Sequence, residues 1–203
     1  MLAAQHSQSF ESFYSQVPGL KVVTYSDARD AKGLLKTAIR DDDPVIFLES
    51  ESTYGMTGEV PDGEYLIPLG RAEVKRPGRD LTIIAWSKMV PLVALKVAEA
   101  LAAEGTEAEV VDARTLKPLD EETLFRSVRK TNRVAIIEEN FKFCGVGAEI
   151  AERIYHACFD DLDAPVERVT SLDVPMPYAH SLETTVLPSV ERGLQAARNV
   201  LYL

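Results

Sequence analysis

The chain has 203 residues, 46% of them hydrophobic, and a formal net charge of −10, enough apolar material for a substantial core and no basic surface. Five Lys/Arg face nine Asp/Glu in residues 1–60, and seventeen face twenty-three in residues 61–203. This spread argues against nucleic acid as a partner, because phosphate-tracking surfaces cluster Lys and Arg. Met1 to Ala4 is too short and uncharged for a signal peptide, and no apolar run nears the roughly 20 residues that span a bilayer, so no membrane partner is expected. Cys144 and Cys158 have no His or Cys at metal-ligand spacing and read as reduced thiols in a cytoplasmic setting.

From Gln8 to Val17, the apolar residues Phe10, Phe13, Tyr14 and Val17 recur at three and four, the period of a helix with one buried face, and Pro18-Gly19 stops it. Leu20 to Tyr25 is strand-like. Ser26 is expected to cap a helix with Asp27 and Asp30 in its first turn and Leu34, Leu35, Ala38 and Ile39 on its buried face. Asp41-Asp42-Asp43 separates that helix from Pro44 to Leu48, a continuous apolar run typical of a strand covered on both faces. Thr53 to Pro68 loses all periodicity and reads as an interdomain linker.

Leu81 to Trp86 then reads as a strand and Val90 to Ala103 as an amphipathic helix stopped at Gly105. Strands follow at Glu109–Val111, Arg133–Ile137 and Val166–Val169. Helices are expected from Asp120 to about Lys130, from Gly147 to Ala157 and from Pro188 to Val200. Alternation of this length implies an α/β fold with a mostly parallel sheet wrapped by helices, since parallel neighbours need crossovers.

The sequence has no G-x-S-x-G elbow, P-loop or G-x-G-x-x-G cradle. Gly145-Val146-Gly147 before a helix either offers N–H groups to an anion or makes a tight turn. His156 reads as a surface or packing residue, and His180 as part of a rigid loop after Pro175 and Pro177. His6 is different in kind, because Gln5-His6-Ser7-Gln8 gathers four hydrogen-bonding side chains just before a helix, where unpaired backbone donors converge. It is either a proton shuttle near neutral pH or a solvated residue beside a Ser7 cap. Ala38 to Pro44 is either a solvated acidic loop or a hard-cation site, in which helix-end carbonyls and carboxylates supply oxygen ligands.

Taken in order, Ala4-Gln5-His6-Ser7-Gln8-Ser9-Phe10, Pro18-Gly19-Leu20-Lys21-Val22-Val23, Asp30-Ala31-Lys32-Gly33-Leu34-Leu35, Pro44 to Glu49 and Tyr54-Gly55 resemble one family, the β subunits of the thiamine diphosphate-dependent 2-oxoacid dehydrogenases, above all pyruvate dehydrogenase. Ile67 to Gly70, Asp112 to Asp120, Gly145 to Ile150, Leu162 to Val166 and Asp173 to Ala179 extend the resemblance over nearly the whole chain. It implies that residues 1–60 are the C-terminal part of a pyrimidine-binding domain with its linker, and that residues 61–203 are a transketolase C-terminal-like domain. The N-terminal part of the first domain is expected to lie upstream of Met1, so that Val22, Val23, Val45, Ile46 and Phe47 border an open sheet edge.

The resemblance further implies a catalytic role for His6 in proton transfer and substrate positioning, and a structural potassium ion held at Ala38, Ile39, Asp41 and Asp43, largely by backbone carbonyls. Thiamine diphosphate with magnesium is shared with an α subunit in an α2β2 heterotetramer, and a dihydrolipoyl acyltransferase core receives the acyl group. The residues that contact the pyrimidine lie upstream, so the chain alone is expected to be inactive. The alternatives are a noncatalytic dimerisation and docking module for the acyltransferase core, or a β subunit acting on acetoin or branched-chain 2-oxoacids. The implied compartment is a bacterial-type cytoplasm or an organelle matrix after processing.

Overall fold

A computed structural model describes residues 3–203; Met1 and Leu2, which open the stretch excluded above as a signal peptide, lie outside the described residues. Two short helices, α1 (Ala3–His6) and α2 (Glu11–Ser15), lead into β1 (Lys21–Thr24), α3 (Ala28–Ile39) and β2 (Val45–Leu48). After a 3-10 turn at Glu51–Thr53 the chain runs without regular structure to β3 (Glu73–Arg76). The rest alternates: β4 (Leu81–Ala85), α4 (Leu95–Ala103), β5 (Ala108–Asp112), β6 (Thr115–Lys117), α5 (Glu121–Thr131), β7 (Val134–Phe141), α6 (Val146–Cys158), β8 (Glu167–Ser171), α7 (His180–Val186) and α8 (Val190–Leu201).

The main sheet has the order β3-β5-β4-β7-β8 and is parallel except for β3 at one edge. All five residues of β4 are buried, as expected of a strand covered on both faces. Leu81, Ile83 and Ala85 pack with Val97 and Leu101 of α4 and Ala197 and Val200 of α8. Ile84 faces the other way, with Leu124 and Val128 of α5 and Ile150 and Ile154 of α6. The helices therefore divide between the two faces, the arrangement of a doubly wound sheet.

A second sheet has the order β2-β1-β6, in which β1 pairs parallel with β2 and antiparallel with β6 from far along the chain. This corrects the expected open edge for Val22 and Val23: Thr115 to Lys117 cover it, and both valines are fully buried. The outer strand is β2, and its four residues are only half-buried rather than covered on both faces.

Several local expectations also change. Asp27, not Ser26, caps α3 by accepting from the Asp30 N–H at 2.8 Å, while the Ser26 hydroxyl donates to Asp112 at 2.5 Å. Leu35 and Ile39 are exposed, because α3 turns Gly33 and Thr37 toward residues 65–67 instead. A Cβ on Gly33 would come within 2.6 Å of Ile67, so only glycine admits that approach. In α2 the expected face holds only in part: Tyr14 packs against the core, but Phe10, Phe13 and Val17 are exposed and Glu11 is buried. The expected helix from Val90 opens with a π-helical turn over Val90–Ala94, and His180 begins α7 rather than lying in a loop.

Arg114 joins the two sheets. Its backbone is left-handed, with φ 53°, and its carbonyl accepts from the Thr24 N–H at 2.7 Å. Its guanidinium grips the fully buried Asp30 through Nε at 2.8 Å and Nη2 at 2.6 Å, and Lys75 donates to the same carboxylate at 2.7 Å. Glu73 pairs with Arg114, Lys75 and Arg29 around them. Removing one partner of a buried ion pair leaves an uncompensated charge. Asp30→Ala is therefore expected to lower stability by on the order of 3 kcal/mol, measured as a shifted urea midpoint. Gly147→Ala should also destabilise the chain in the same assay, since its Cβ would fall 2.3 Å from the fixed carboxylate of Glu138.

Candidate functional site

In an open α/β sheet, ligands favour the carboxyl ends of the strands where successive crossovers leave in opposite directions. Here that point lies between β4 and β7: the chain leaves β4 to lay β5 on one side, then returns to lay β7 on the other. Ser87 and Lys88 follow β4, and Glu139 stands near the end of β7. The C-terminal ends of β1 and β2, at Thr24 and Leu48, converge on the same place. Together they enclose a cleft of about 610 Å³.

The segment His6 to Glu11 forms one wall of this cleft. His6 ends α1 and is exposed, and the Gln8 amide donates back to the Ala4 carbonyl. Beyond it, α2 is fastened to the body of the protein: the Asn140 amide donates to the Ser12 hydroxyl at 2.8 Å, and the Lys117 ammonium donates to the carbonyls of Ser15 and Val17. Across the cleft Lys88 pairs with Glu139 at 2.6 Å. Met176, Glu183 and Leu187 close the far side.

The carboxyl of Glu11 is raised to about 7, chiefly by burial. Its own backbone N–H eases the shift, Glu139 adds to it, and the indole of Trp86 eases it from a position short of hydrogen-bonding geometry. Neither Glu11 Oε2 nor Trp86 Nε1 has a hydrogen-bond partner among the described residues, although both atoms are buried.

Ala38, Ile39, Asp41 and Asp43 lie at the opposite end of β1 and β2 from His6. The Lys21 ammonium bridges Asp41 at 2.7 Å and Asp43 at 3.0 Å. That contact, with the Asp43 N–H donating at 2.9 Å, holds the Asp41 carboxyl below the usual range. The side-chain oxygens there are thus already matched by a cation, which leaves backbone carbonyls as the free donors. The carbonyl of Ala38 accepts a long hydrogen bond, 3.4 Å, from Asp41.

Among the described residues, one acidic cluster has metal-ligand spacing, Asp27, Asp30 and Glu73, and its oxygens are engaged by Lys75 and Arg114. Among the described residues the cleft presents no carboxylates at metal-ligand spacing, so the oxygen donors described there do not fit a magnesium ion. Gly145 and Gly147 open α6, but the anion they meet is the protein's own: the Gly147 N–H donates to Glu138 at 3.0 Å, and Arg168 donates to the same carboxylate. His156 is exposed on α6, and His180 contacts Glu183 at 3.2 Å. Both cysteines are free thiols, Cys144 exposed and Cys158 buried.

Sequence reasoning singled out His6, which lies on the cleft lining, and did not single out Glu11, Lys88 or Glu139, which lie there too. Two polar residues, Glu138 and Glu139, immediately after the apolar run Val134 to Ile137 were the legible signal for a strand end at a site. Glu11 had none, because its neighbours suggested that the opposite helix face is buried.

The transketolase C-terminal domain model matches residues 70–192, and the transketolase pyrimidine binding domain model matches residues 1–57. The mitochondrial pyruvate dehydrogenase E1 component subunit beta-1 of Oryza sativa subsp. japonica is 50% identical over 205 residues, covering 99% of this chain and 54% of that protein. The pyruvate dehydrogenase E1 component subunit beta of Rickettsia felis is 49% identical over 201 residues, covering 99% of this chain and 61% of that one. The chain thus spans little more than half the length of these relatives. A solved structure described as a split gene transketolase, inactive beta4 tetramer, superposes with a TM-score of 0.79 at 28% identity, over 98% of this chain and 63% of its own. The chain belongs to the transketolase C-terminal domain family, with part of the pyrimidine binding domain ahead of it, and is similar over nearly its whole length to pyruvate dehydrogenase E1 beta subunits.

Proposed function

We propose that the chain contributes the C-terminal part of a pyruvate dehydrogenase-type β subunit, supporting oxidative decarboxylation of a 2-oxoacid and acyl transfer to lipoyl groups. The observation that carries this reading is the placement of His6 on a cleft where the strand ends of both sheets meet, in a chain half identical to named E1 beta subunits. Its partners on this reading are an α subunit, in an α2β2 heterotetramer, and a dihydrolipoyl acyltransferase core. Thiamine diphosphate, shared with the α subunit, supplies the electron sink for carbon–carbon cleavage.

His6 takes and returns a proton at a ring nitrogen, the function its exposed position on the cleft and its imidazole chemistry suit. The hydroxyls of Ser7 and Ser9 line the same wall and orient a polar substrate by hydrogen bonds. No step is assigned to magnesium here, since the oxygen donors described in the cleft do not fit it. The compartment follows the assembly, a bacterial cytoplasm or a mitochondrial matrix.

A second reading, a noncatalytic assembly module, is favoured by the likeness to a chain that forms an inactive beta4 tetramer. Co-expression with an α subunit separates the two. A mixed complex that turns over with thiamine diphosphate, and loses about a hundredfold in kcat on His6→Ala, supports the first. A tetramer of this chain alone, or turnover indifferent to His6→Ala, overturns it.

We further propose that potassium binds the carbonyls of Ala38, Ile39, Asp41 and Asp43, with Lys21 retaining the carboxylates. Replacing potassium by choline is expected to lower the melting temperature by a few degrees, and Asp41→Ala, which keeps the backbone carbonyl, to preserve that difference. Equal melting in both salts excludes the site.

A further inference from the structure

Glu11 and Glu139 lie on the lining of the cleft, the fully buried Glu138 behind it also acts on Glu11, and two cations answer these three carboxylates. Arg168 is committed to Glu138 and Lys88 to Glu139. Among the described residues Glu11 is left without a counter-charge, with 7% exposure and one oxygen lacking any partner. A buried carboxylate in this position strongly favours its neutral form. The segment that carries it leaves Phe10 and Phe13 exposed and buries the acid beside Tyr14, a local cost that points to use rather than packing.

We propose that Glu11 is a second proton carrier of the cleft: it is kept neutral because Lys88 and Arg168 are spent on its neighbours, and it yields its proton when the Lys88 ammonium moves from Glu139 toward it. In that step the Glu11 O–H bond breaks, the electron pair remains on the carboxylate, and the proton passes to water in the cleft that His6 also lines. The remaining charged groups on the lining are Glu49, Glu51 and Glu183, all acidic, so none of them relieves the shortage of cations. The use of this proton rests on the function proposed above; its presence does not.

Two consequences follow for Glu11 alone. It binds its proton more tightly in the folded chain than in the unfolded one, so the stability it contributes is complete below about 4.5 and is lost as pH rises through about 7. Glu11→Gln removes that decline while keeping the shape of the side chain.

The deciding experiment is a carboxyl-carbon NMR titration of the full chain labelled in glutamate. One resonance is expected to titrate in the neutral range and to vanish in Glu11→Gln. Glu139→Gln frees Lys88 and removes a like charge, and should lower that midpoint by about one pH unit; Lys88→Met should raise it. Both altered residues line the cleft and keep some exposure, so the test survives even if Glu11→Gln fails to fold. The proposal is overturned if every glutamate titrates below pH 6, if the neutral-range resonance persists in Glu11→Gln, or if Glu139→Gln leaves it unmoved. In the assembled enzyme, Glu11→Gln should remove one limb of the kcat pH profile. Loss of all turnover with the titration intact would count against the proposed function and leave the proton on Glu11.

Discussion

The arrangement depends on the buried grip of Arg114 on Asp30. Asp30 is in the first turn of α3 and Arg114 is 84 positions away, between β5 and β6, yet they meet through two parallel hydrogen bonds with no solvent exposure of the acid. A guanidinium is suited to this because its fork matches a carboxylate edge. The left-handed backbone at Arg114 turns the chain out of the main sheet, and the Asp112 carboxylate supports that turn by accepting from the Arg114 N–H at 2.9 Å. The next residues form β6, which pairs with β1. One buried ion pair therefore fixes both how the second sheet is completed and where β1 ends.

Where β1 ends decides where the cleft is. Thr24 is the last residue of β1 and also the one whose N–H donates to Arg114. A shift of β1 along β6 by one residue would exchange Val22 and Val23 between two different cores. The ends of β1 and β2 are thus locked in register with the ends of β4 and β7, although they belong to different sheets. Asn140 and Ser12, 128 positions apart, complete the alignment by tying the strand end of the main sheet to α2.

How much of this was legible in the sequence follows from the range of each cause. The start of α5 at Asp120, which proves to be its cap, and the strand expected over Leu81 to Trp86, found at Leu81–Ala85, depend on neighbours and are legible locally. The cap of α3 was misplaced by one residue because Ser26 and Asp27 are both good caps, and only the distant Asp112 decides which is free. β6 has three residues and no pattern of its own; it is a strand because β1 needs a partner. The face of α2 departs from expectation for the same reason, since Phe13 stays exposed against Tyr14, with their centroids 5.4 Å apart, while Tyr14 packs on the core and Glu11 is buried beside it.

The two acid-rich centres reach opposite solutions from similar parts, and the difference lies in the supply of cations. At the junction, Asp27, Asp30, Glu73 and Asp112 are served by Arg29, Lys75 and Arg114, and three of the four acids lie within ion-pair distance of a cation. Asp112 alone takes a hydroxyl instead, and its carboxyl is raised to about 6, chiefly by burial. At the cleft cations are short as well, and among the described residues no hydroxyl pairs with the buried Glu11 oxygen. The junction spends its single unmatched acid inside a closed, hydrogen-bonded cluster, where it serves packing. The cleft leaves its unmatched acid buried in a wall that borders open space, where a proton has somewhere to go, and that is the physical distinction between a latch and a site.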